Sequence, residues 1–544
     1  MRKDFRFKKD SLSDAERCKL KWAGVISVLA PFLLVVLPII NTYAQKQAIM
    51  ALTIIVRPML VAIFATAVFF AVVGLALKNW QKSSLITSAF ITVFYSYDFL
   101  DKTINKLNLK LILDNKNLII IAICVLFLAV IFIWAARLHD PQVVSFVLTA
   151  ILIIGLSVSV SQVIAGARKK SKLSRIFSQY AERKINDYNF DKSAEKPDIY
   201  YIVLDGYTSS SNLRKFFLTD NDEFISFLKS KGFYVADRSN ANYSQTVLSI
   251  GSELNFKYLD DLVPDLIQTD SIDRSPIIDN YIYRNEVALI LKALGYKINY
   301  FNSYVWGTDY FDYDQFFSWP QQLTTFEQIL LNGTIIKSVY NGGIIAGTDF
   351  YAGTHSARIN YNLERLPDVA EDQAPTFTFA HILNPHPPFV FDRNGSINAD
   401  EIVSFADGGL YNSDYAKLYV DQLIYINKKV EVMINEIIAK SKNPPIIILQ
   451  GDHGTMSSFS WGKSLKDYTD ENYIERAGNL SAIYLPDNYD SPFRDDMTNV
   501  NTFRMIFRSV FGANLPDLDD RVYFSEWNLP YKFIDVTNIV RKAQ

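Results

Sequence analysis

Roughly the first 165 residues of this chain hold a series of apolar runs as long as a bilayer is thick, and nothing else in the sequence constrains the fold as strongly. Backbone inside hydrocarbon must satisfy its own hydrogen bonds, so such runs are α-helices. Candidate spans are Trp22–Ile40, Met50–Leu77, Leu85–Leu100, Leu118–Ala136 and Val143–Ile164, about five in all. The third is short and ends in Tyr95, Tyr97 and Asp98. The first is too long for a signal-peptide core and lacks a small-residue cleavage site, so it reads as an uncleaved anchor.

Residues 1–21 carry eight Lys and Arg, which favours a cytoplasmic N-terminus. An odd number of spans then puts the remainder of the chain outside the cytoplasm. Arg168, Lys169, Lys170, Lys172 and Arg175 follow the last span and oppose that orientation. The outside orientation is kept, with the basic run read as an interfacial helix on anionic headgroups or, equally, as a solvated linker. Arg57 lies inside the second run, where an ionised side chain is costly and is normally paired or faces water. Snorkelling, or a span that begins after it, is favoured over a role in lipid handling.

Beyond the linker the composition becomes globular. The expected divisions are a basic cytoplasmic segment at 1–21, a transmembrane domain at 22–165, an interfacial linker at 166–197 that ends at Pro197, and a catalytic domain at 198–544. A net charge of −2 suggests no nucleic-acid partner. The only cysteines, Cys18 and Cys124, lie in the membrane half, so the catalytic half has no disulfide, zinc–thiolate site or cysteine nucleophile.

Strand-like and helix-like patterns alternate through that half. Strands are expected at Asp198–Asp205, Phe233–Ala236, Lys297–Phe301, Thr376–Leu383, Ile446–Gln450 and Ser481–Leu485. Helices are expected at Glu223–Lys231, Glu286–Leu294, Asp414–Ser441 and Asn501–Phe511. Such alternation predicts an α/β domain with a mostly parallel sheet sandwiched by helices, carried behind a multi-pass α-helical membrane domain.

Two of these strands stop at an acid beside glycine: Asp205-Gly206, and Gly451-Asp452-His453-Gly454 after the run Ile446–Gln450. Strand ends favour Asp and Gly as turn residues. They are also where open α/β sheets bind ligands, and Asp with His offers the oxygen and nitrogen donors that Zn²⁺ or Mn²⁺ accepts. Between them lies the hydroxyl-rich stretch Asn242–Asn255, with Ser244, Thr246 and Ser249 at the start of a helical pattern. Hydroxyls there cap helices, but the exposed N–H groups also bind anions, so a nucleophile there could attack a held phosphate. The third stretch, His381-Ile-Leu-Asn-Pro-His386-Pro-Pro-Phe389, ends the Thr376 strand. Of the five histidines in the chain, His381, His386 and His453 all fall at strand ends, which random placement rarely achieves.

The order of Asp205-Gly206, Thr246 about forty residues on, His386-Pro-Pro-Phe389 and Gly451-Asp452-His453-Gly454 resembles the alkaline phosphatase and sulfatase superfamily. Behind several spans it is similar to lipoteichoic acid synthase and the phosphoethanolamine and phosphoglycerol transferases. The resemblance implies one divalent ion, Mn²⁺ or Zn²⁺ with Mg²⁺ also acceptable, held by Asp205, Thr246, Asp452 and His453. It implies Thr246 as nucleophile, with Ser244 and Ser249 as competitors. His386 would bind the phosphate or protonate the leaving oxygen, and His381 would share that role. Asp205 stands where the transferases usually carry Glu, a shorter arm that bears on metal preference.

A formylglycine sulfatase needs a Cys/Ser-x-Pro-x-Arg motif, which the catalytic half lacks. A two-metal phosphatase needs further histidines, and none follows His453. The resemblance therefore implies a membrane-anchored, sulfatase-like phosphotransferase of the bacterial plasma membrane with an extracytoplasmic catalytic domain. It would move phosphoglycerol or phosphoethanolamine from a phospholipid donor to an envelope glycan or lipid acceptor through a phosphothreonine. A one-metal phosphodiesterase or phosphonate hydrolase, or a degenerate glycan-binding or transport accessory protein, are the alternatives. Tyr304, Trp306, Asp309 and Tyr310 form an aromatic loop that suits a glycan pocket or simply loop packing.

Overall fold

The computed structural model describes residues 24–46, 52–106, 116–305, 307–309, 311–320, 323–336, 348–397, 413–459, 461 and 464–543. Trp306, Tyr310, Cys18 and the basic segment 1–21 lie outside the described residues. The chain divides into two compact units: Met1–Leu173 with Leu323–Gly347, and Ser174–Gln322 with Thr348–Gln544.

In the first unit, three helical stretches among the described residues are long and apolar enough to cross a membrane: Leu52–Leu77, Ile120–Arg137 and Pro141–Arg168. Ala30–Gln45 is apolar but shorter, and the run the sequence marks as weak forms the 16-residue helix Trp80–Tyr95. Leu60, Phe64 and Leu75 are exposed, an arrangement that is stable in hydrocarbon and not in water. Trp80–Tyr95 buries Ser83, Ser84, Thr87 and Ser88 instead. Ser84 Oγ donates across to Ser27 O at 3.1 Å and Ser83 Oγ to Phe70 O at 2.6 Å, the polar contacts that hold helices together where hydrophobicity cannot. The last span continues without a break as the helix Pro141–Asp187, so the basic run is helical.

Arg57 is the second residue of the helix Val56–Leu77. It makes a forked ion pair with Glu327, with Arg57 Nε donating to Oε1 at 2.7 Å and Nη2 to Oε2. Glu327 belongs to Thr325–Asn332, a helix of the segment by which the later chain rejoins this unit. Its N-terminus is closed by a capping box between Thr324 and Glu327. Ile335 N also donates to Phe94 O at 3.0 Å.

The second unit is built on a seven-stranded sheet in the order β2-β7-β6-β1-β5-β3-β4. Its strands are β1 (Ile199–Leu204), β2 (Phe233–Val235), β3 (Lys297–Phe301), β4 (Gln315–Phe317), β5 (Thr376–Ile382), β6 (Ile446–Gln450) and β7 (Ser481–Tyr484). β1 pairs in parallel with both β5 and β6, β3 pairs in parallel with β4 and β5, and β7 pairs antiparallel with both β2 and β6. The patterning explains this layout. The residues of β1, β5 and β6 are all buried, as central parallel strands covered on both faces must be.

Alternate residues of β1 feed two cores. Ile199, Tyr201 and Val203 pack with Val247, Leu248 and Ile250 and with Phe503 and Phe507 of the helix Thr502–Phe511. Tyr200, Ile202 and Leu204 pack with Tyr419, Ile426 and Ile434 of the helix Ser413–Lys440. Each such side chain contributes about 1.5–3 kcal/mol on burial, so β1 is anchored from both sides. The short edge strand β4 and a two-stranded ribbon, β8 (Tyr523–Ser525) with β9 (Phe533–Asp535), lie outside the strands expected from the sequence pattern.

Candidate active site

With β1 between β5 and β6, three carboxyl ends stand side by side, and each delivers one of the expected polar motifs. Asp205 follows β1, His381 lies within the last residues of β5, and Asp452 with His453 follows β6. The turn at β6 needs its glycines. A Cβ on Gly451 would lie 2.3 Å from Tyr207 O, and one on Gly454 would lie 2.1 Å from Glu475 O. That close approach lets Gly206 N donate to Asp452 Oδ1 at 3.0 Å, tying the two strand ends together.

Asp205, His381 and Asp452 offer ligand atoms that all lie within 4.8 Å of one another. His381 Nε2 is 3.1 Å from Asp205 Oδ2, His453 Nε2 is 3.2 Å from Asp452 Oδ2 and 3.7 Å from Asp205 Oδ1. All four side chains are buried, and Asp205 Oδ1 and Asp452 Oδ2 have no hydrogen-bond partner. Two orphaned carboxylate oxygens facing imidazole nitrogens are costly unless a cation joins them, so the donor set fits a divalent ion. Burial pushes the Asp205 carboxyl up, but His386, His381 and His453 more than reverse this and hold it well below the usual carboxylate range.

Thr246 opens the helix Thr246–Glu253, and its Oγ1 lies 3.1 Å from His453 Nε2. The competing hydroxyls belong to Ser244 and Ser249. Ser244 is buried against Ser525, with its Oγ 3.4 Å from Ser525 O, and Ser249 is buried in the helix interior. His453 Nδ1 is 3.0 Å from Gly454 O, which assigns the proton to Nδ1 and leaves Nε2 as the acceptor toward Thr246.

His386 and His381 part company. His386 is half-buried, held by its own N–H donating to Asp205 O at 3.0 Å, and its ring centroid is 6.2 Å from that of His453. Its Nδ1 lies 2.6 Å from Pro387 O. His381 is fully buried and clamped between Asp205 Oδ2 and Thr308 Oγ1, the latter 2.6 Å from Nδ1. His381 therefore stands with the two carboxylates.

Three residues that the motifs do not flag also reach this area. Arg476, from the helix Asp470–Ala477, donates to Ser244 O at 2.8 Å and Gly454 O at 3.1 Å, with Nη2 3.0 Å from His453 Nε2. It thereby links the Thr246 loop to the β6 turn. His355 and Arg358 come from the helix Thr348–Arg365. Burial, then the charges of Arg358 and His386, lower His355 to about 3 against a hydrogen bond to the Leu383 backbone, so it is neutral. Arg358 Cζ sits 4.4 Å over the ring of Tyr304, which places that loop tyrosine in a cation–π contact. The scarcity of histidine could have singled out His355; no pattern marks either arginine.

No family model matches this chain, and no curated protein matches it. Among solved structures it is similar to the C-terminal periplasmic domain of EptC from Escherichia coli, at 13% identity and a TM-score of 0.41 over 63% of this chain and 94% of that one. It is similar to the C-terminal periplasmic domain of phosphoethanolamine transferase EptC from Campylobacter jejuni, at 10% identity and TM-score 0.38 over 62% of this chain and 95% of that one. Phosphonate monoester hydrolase of Agrobacterium radiobacter follows at 12% identity and TM-score 0.37, over 60% and 80%.

Proposed function

We propose that this protein is a membrane-anchored, metal-dependent transferase that moves a phosphoglycerol or phosphoethanolamine group from a phospholipid to an envelope glycan or lipid. The observation that carries this reading is Thr246 Oγ1 at a helix N-terminus, 3.1 Å from His453 Nε2 and beside the orphaned oxygens of Asp205 and Asp452. Asp205, Asp452, His453 and Thr246 would hold the ion, with His381 available as a further ligand or as the brace of Asp205. When bound there, such an ion would favour the ionised form of the Thr246 hydroxyl, with its proton going to solvent, and would neutralise charge on the phosphoryl oxygens.

Thr246 Oγ1 then attacks the donor phosphorus in line. The Oγ1–P bond forms, the bond from phosphorus to the diacylglycerol oxygen breaks, and His386 Nε2 gives that oxygen its proton. The N–H groups of Thr246 and Val247, at the start of that helix, would favour the charge of the phosphoryl oxygens. In the second half the acceptor hydroxyl loses its proton to His386 and forms its own bond to phosphorus, and Thr246 leaves. Anchoring by five spans, with the catalytic unit outside the cytoplasm, would raise the donor's effective concentration because both share the bilayer surface.

The test is the full-length enzyme with a phospholipid carrying a labelled headgroup. Thr246→Ala is expected to lower donor cleavage by on the order of 10³-fold or more and to remove a phosphothreonine detectable by mass spectrometry. Full turnover in that variant overturns the nucleophile assignment. Hydrolysis by water is the second reading, since the first displacement is common to both; label appearing only as free headgroup phosphate, with no modified acceptor, selects it.

A further inference from the structure

The chain just after β8 brings a tryptophan to the rim of the Thr246 loop. Gln245, the residue before Thr246, donates through Nε2 to Ser525 Oγ and Glu526 O, each at 3.0 Å, and Trp527 comes next. Trp527 is 42% exposed, and its ring stands 5.7 Å from that of Trp461 at 47°. Trp461 is partly buried, stacked on Phe524 at 6.1 Å, so its packing role is satisfied from below and Trp527 is the open surface.

Each tryptophan rests on an arginine that is itself tied to the candidate active site. Arg274 Cζ lies 4.6 Å over Trp527, while its Nε and Nη2 donate to Gln245 Oε1 at 3.0 and 2.6 Å and Nη2 also reaches Trp527 O. Arg476 Cζ lies 5.3 Å over Trp461, while its Nη2 is 3.0 Å from His453 Nε2. A single exposed tryptophan needs no explanation. Two ring systems, each held in register with a different arm of one site by a guanidinium, form a rigid platform.

We propose that Trp527, with the edge of Trp461, is a sugar-stacking subsite that seats a neutral or anionic glycan acceptor beside Thr246. This rests on the transferase reading above. An aromatic face accepts either a cation or the apolar C–H face of a pyranose. Here the two guanidinium groups already occupy the rings' attraction for cations and repel another, so the ammonium of an ethanolamine headgroup is disfavoured.

The test follows where the phosphoryl group goes. Full-length enzyme in vesicles receives phospholipid labelled in its headgroup, together with the glycan fraction of the producing cell's envelope. The readout is the ratio of label on glycan to label released as free headgroup phosphate. Trp527→Ala and Trp527→Leu are each expected to lower this ratio at least tenfold, and Trp527→Phe to keep it within about threefold of wild type, the range of a conservative aromatic swap. A ratio unchanged in the leucine variant, or wild-type label passing to a lipid acceptor instead of glycan, overturns the subsite. Wild-type enzyme that cleaves no donor at all overturns the transferase reading instead.

Discussion

Replacing Glu253 with glutamine should remove a specific pH dependence of stability. Glu253 ends the helix that Thr246 begins, is fully buried, and neither of its oxygens has a hydrogen bond of good geometry. Burial, reinforced by the charge of Asp452, pushes its carboxyl up to about 8 from an ordinary 4.5, although Tyr201 and Asn499 pull the other way. The folded chain therefore keeps a proton that the unfolded chain gives up. The associated stability is fully present below about pH 4.5 and is lost as pH rises toward 8. At 1.36 kcal/mol per unit this is about 5 kcal/mol, an order-of-magnitude figure. Glutamine has the same shape and no proton to lose, so Glu253→Gln should grow more stable than wild type as pH rises from 5 to 8.5. Thermal unfolding of the two full-length proteins in detergent measures it, with a difference of roughly 5–10 °C opening at the alkaline end. Parallel melting curves across that range would refute the claim that Glu253 is neutral in the fold.

Chelation should lower the melting temperature and stop turnover, and Mn²⁺ or Zn²⁺ should restore both; an ion at a hundred times its dissociation constant adds about 2.7 kcal/mol. Unchanged melting and turnover after exhaustive chelation would sink the metal assignment. Arg57→Ala leaves Glu327 buried without its forked partner and should cost about 1–3 kcal/mol, discounted because Arg57 is 47% exposed, with Arg57→Ala/Glu327→Ala costing less than the sum of the single variants in a double-mutant cycle of unfolding. Gly454→Ala drives a Cβ to 2.1 Å from Glu475 O and 2.6 Å from Gly478 O, so the β6 turn must move; a loss of about 1–3 kcal/mol and of most metal-stimulated turnover is expected, while wild-type activity would contradict the close packing of that turn.

What the sequence determined by itself was whatever local pattern carries. Apolar runs of bilayer length specify helices because hydrocarbon leaves the backbone no other partner, and continuous β-branched runs specify covered parallel strands. The acids at the ends of β1 and β6 were legible for the same reason, since a polar cluster that halts an apolar strand has a known place at the sheet's edge. Only the tertiary structure decided that β1 lies between β5 and β6, because strand order follows from which faces the helices cover, and no residue of β1 encodes it. It also separated His381 from His386, five residues apart on one motif yet one locked against Asp205 and the other turned to the site. Arg476, Arg358 and Glu327 were invisible beforehand for a common physical reason. Each is an ordinary charged residue on an ordinary helix, and its meaning comes from partners that are far away in sequence: Ser244 and His453 for Arg476, Tyr304 for Arg358, and Arg57 for Glu327, 270 residues away along the chain.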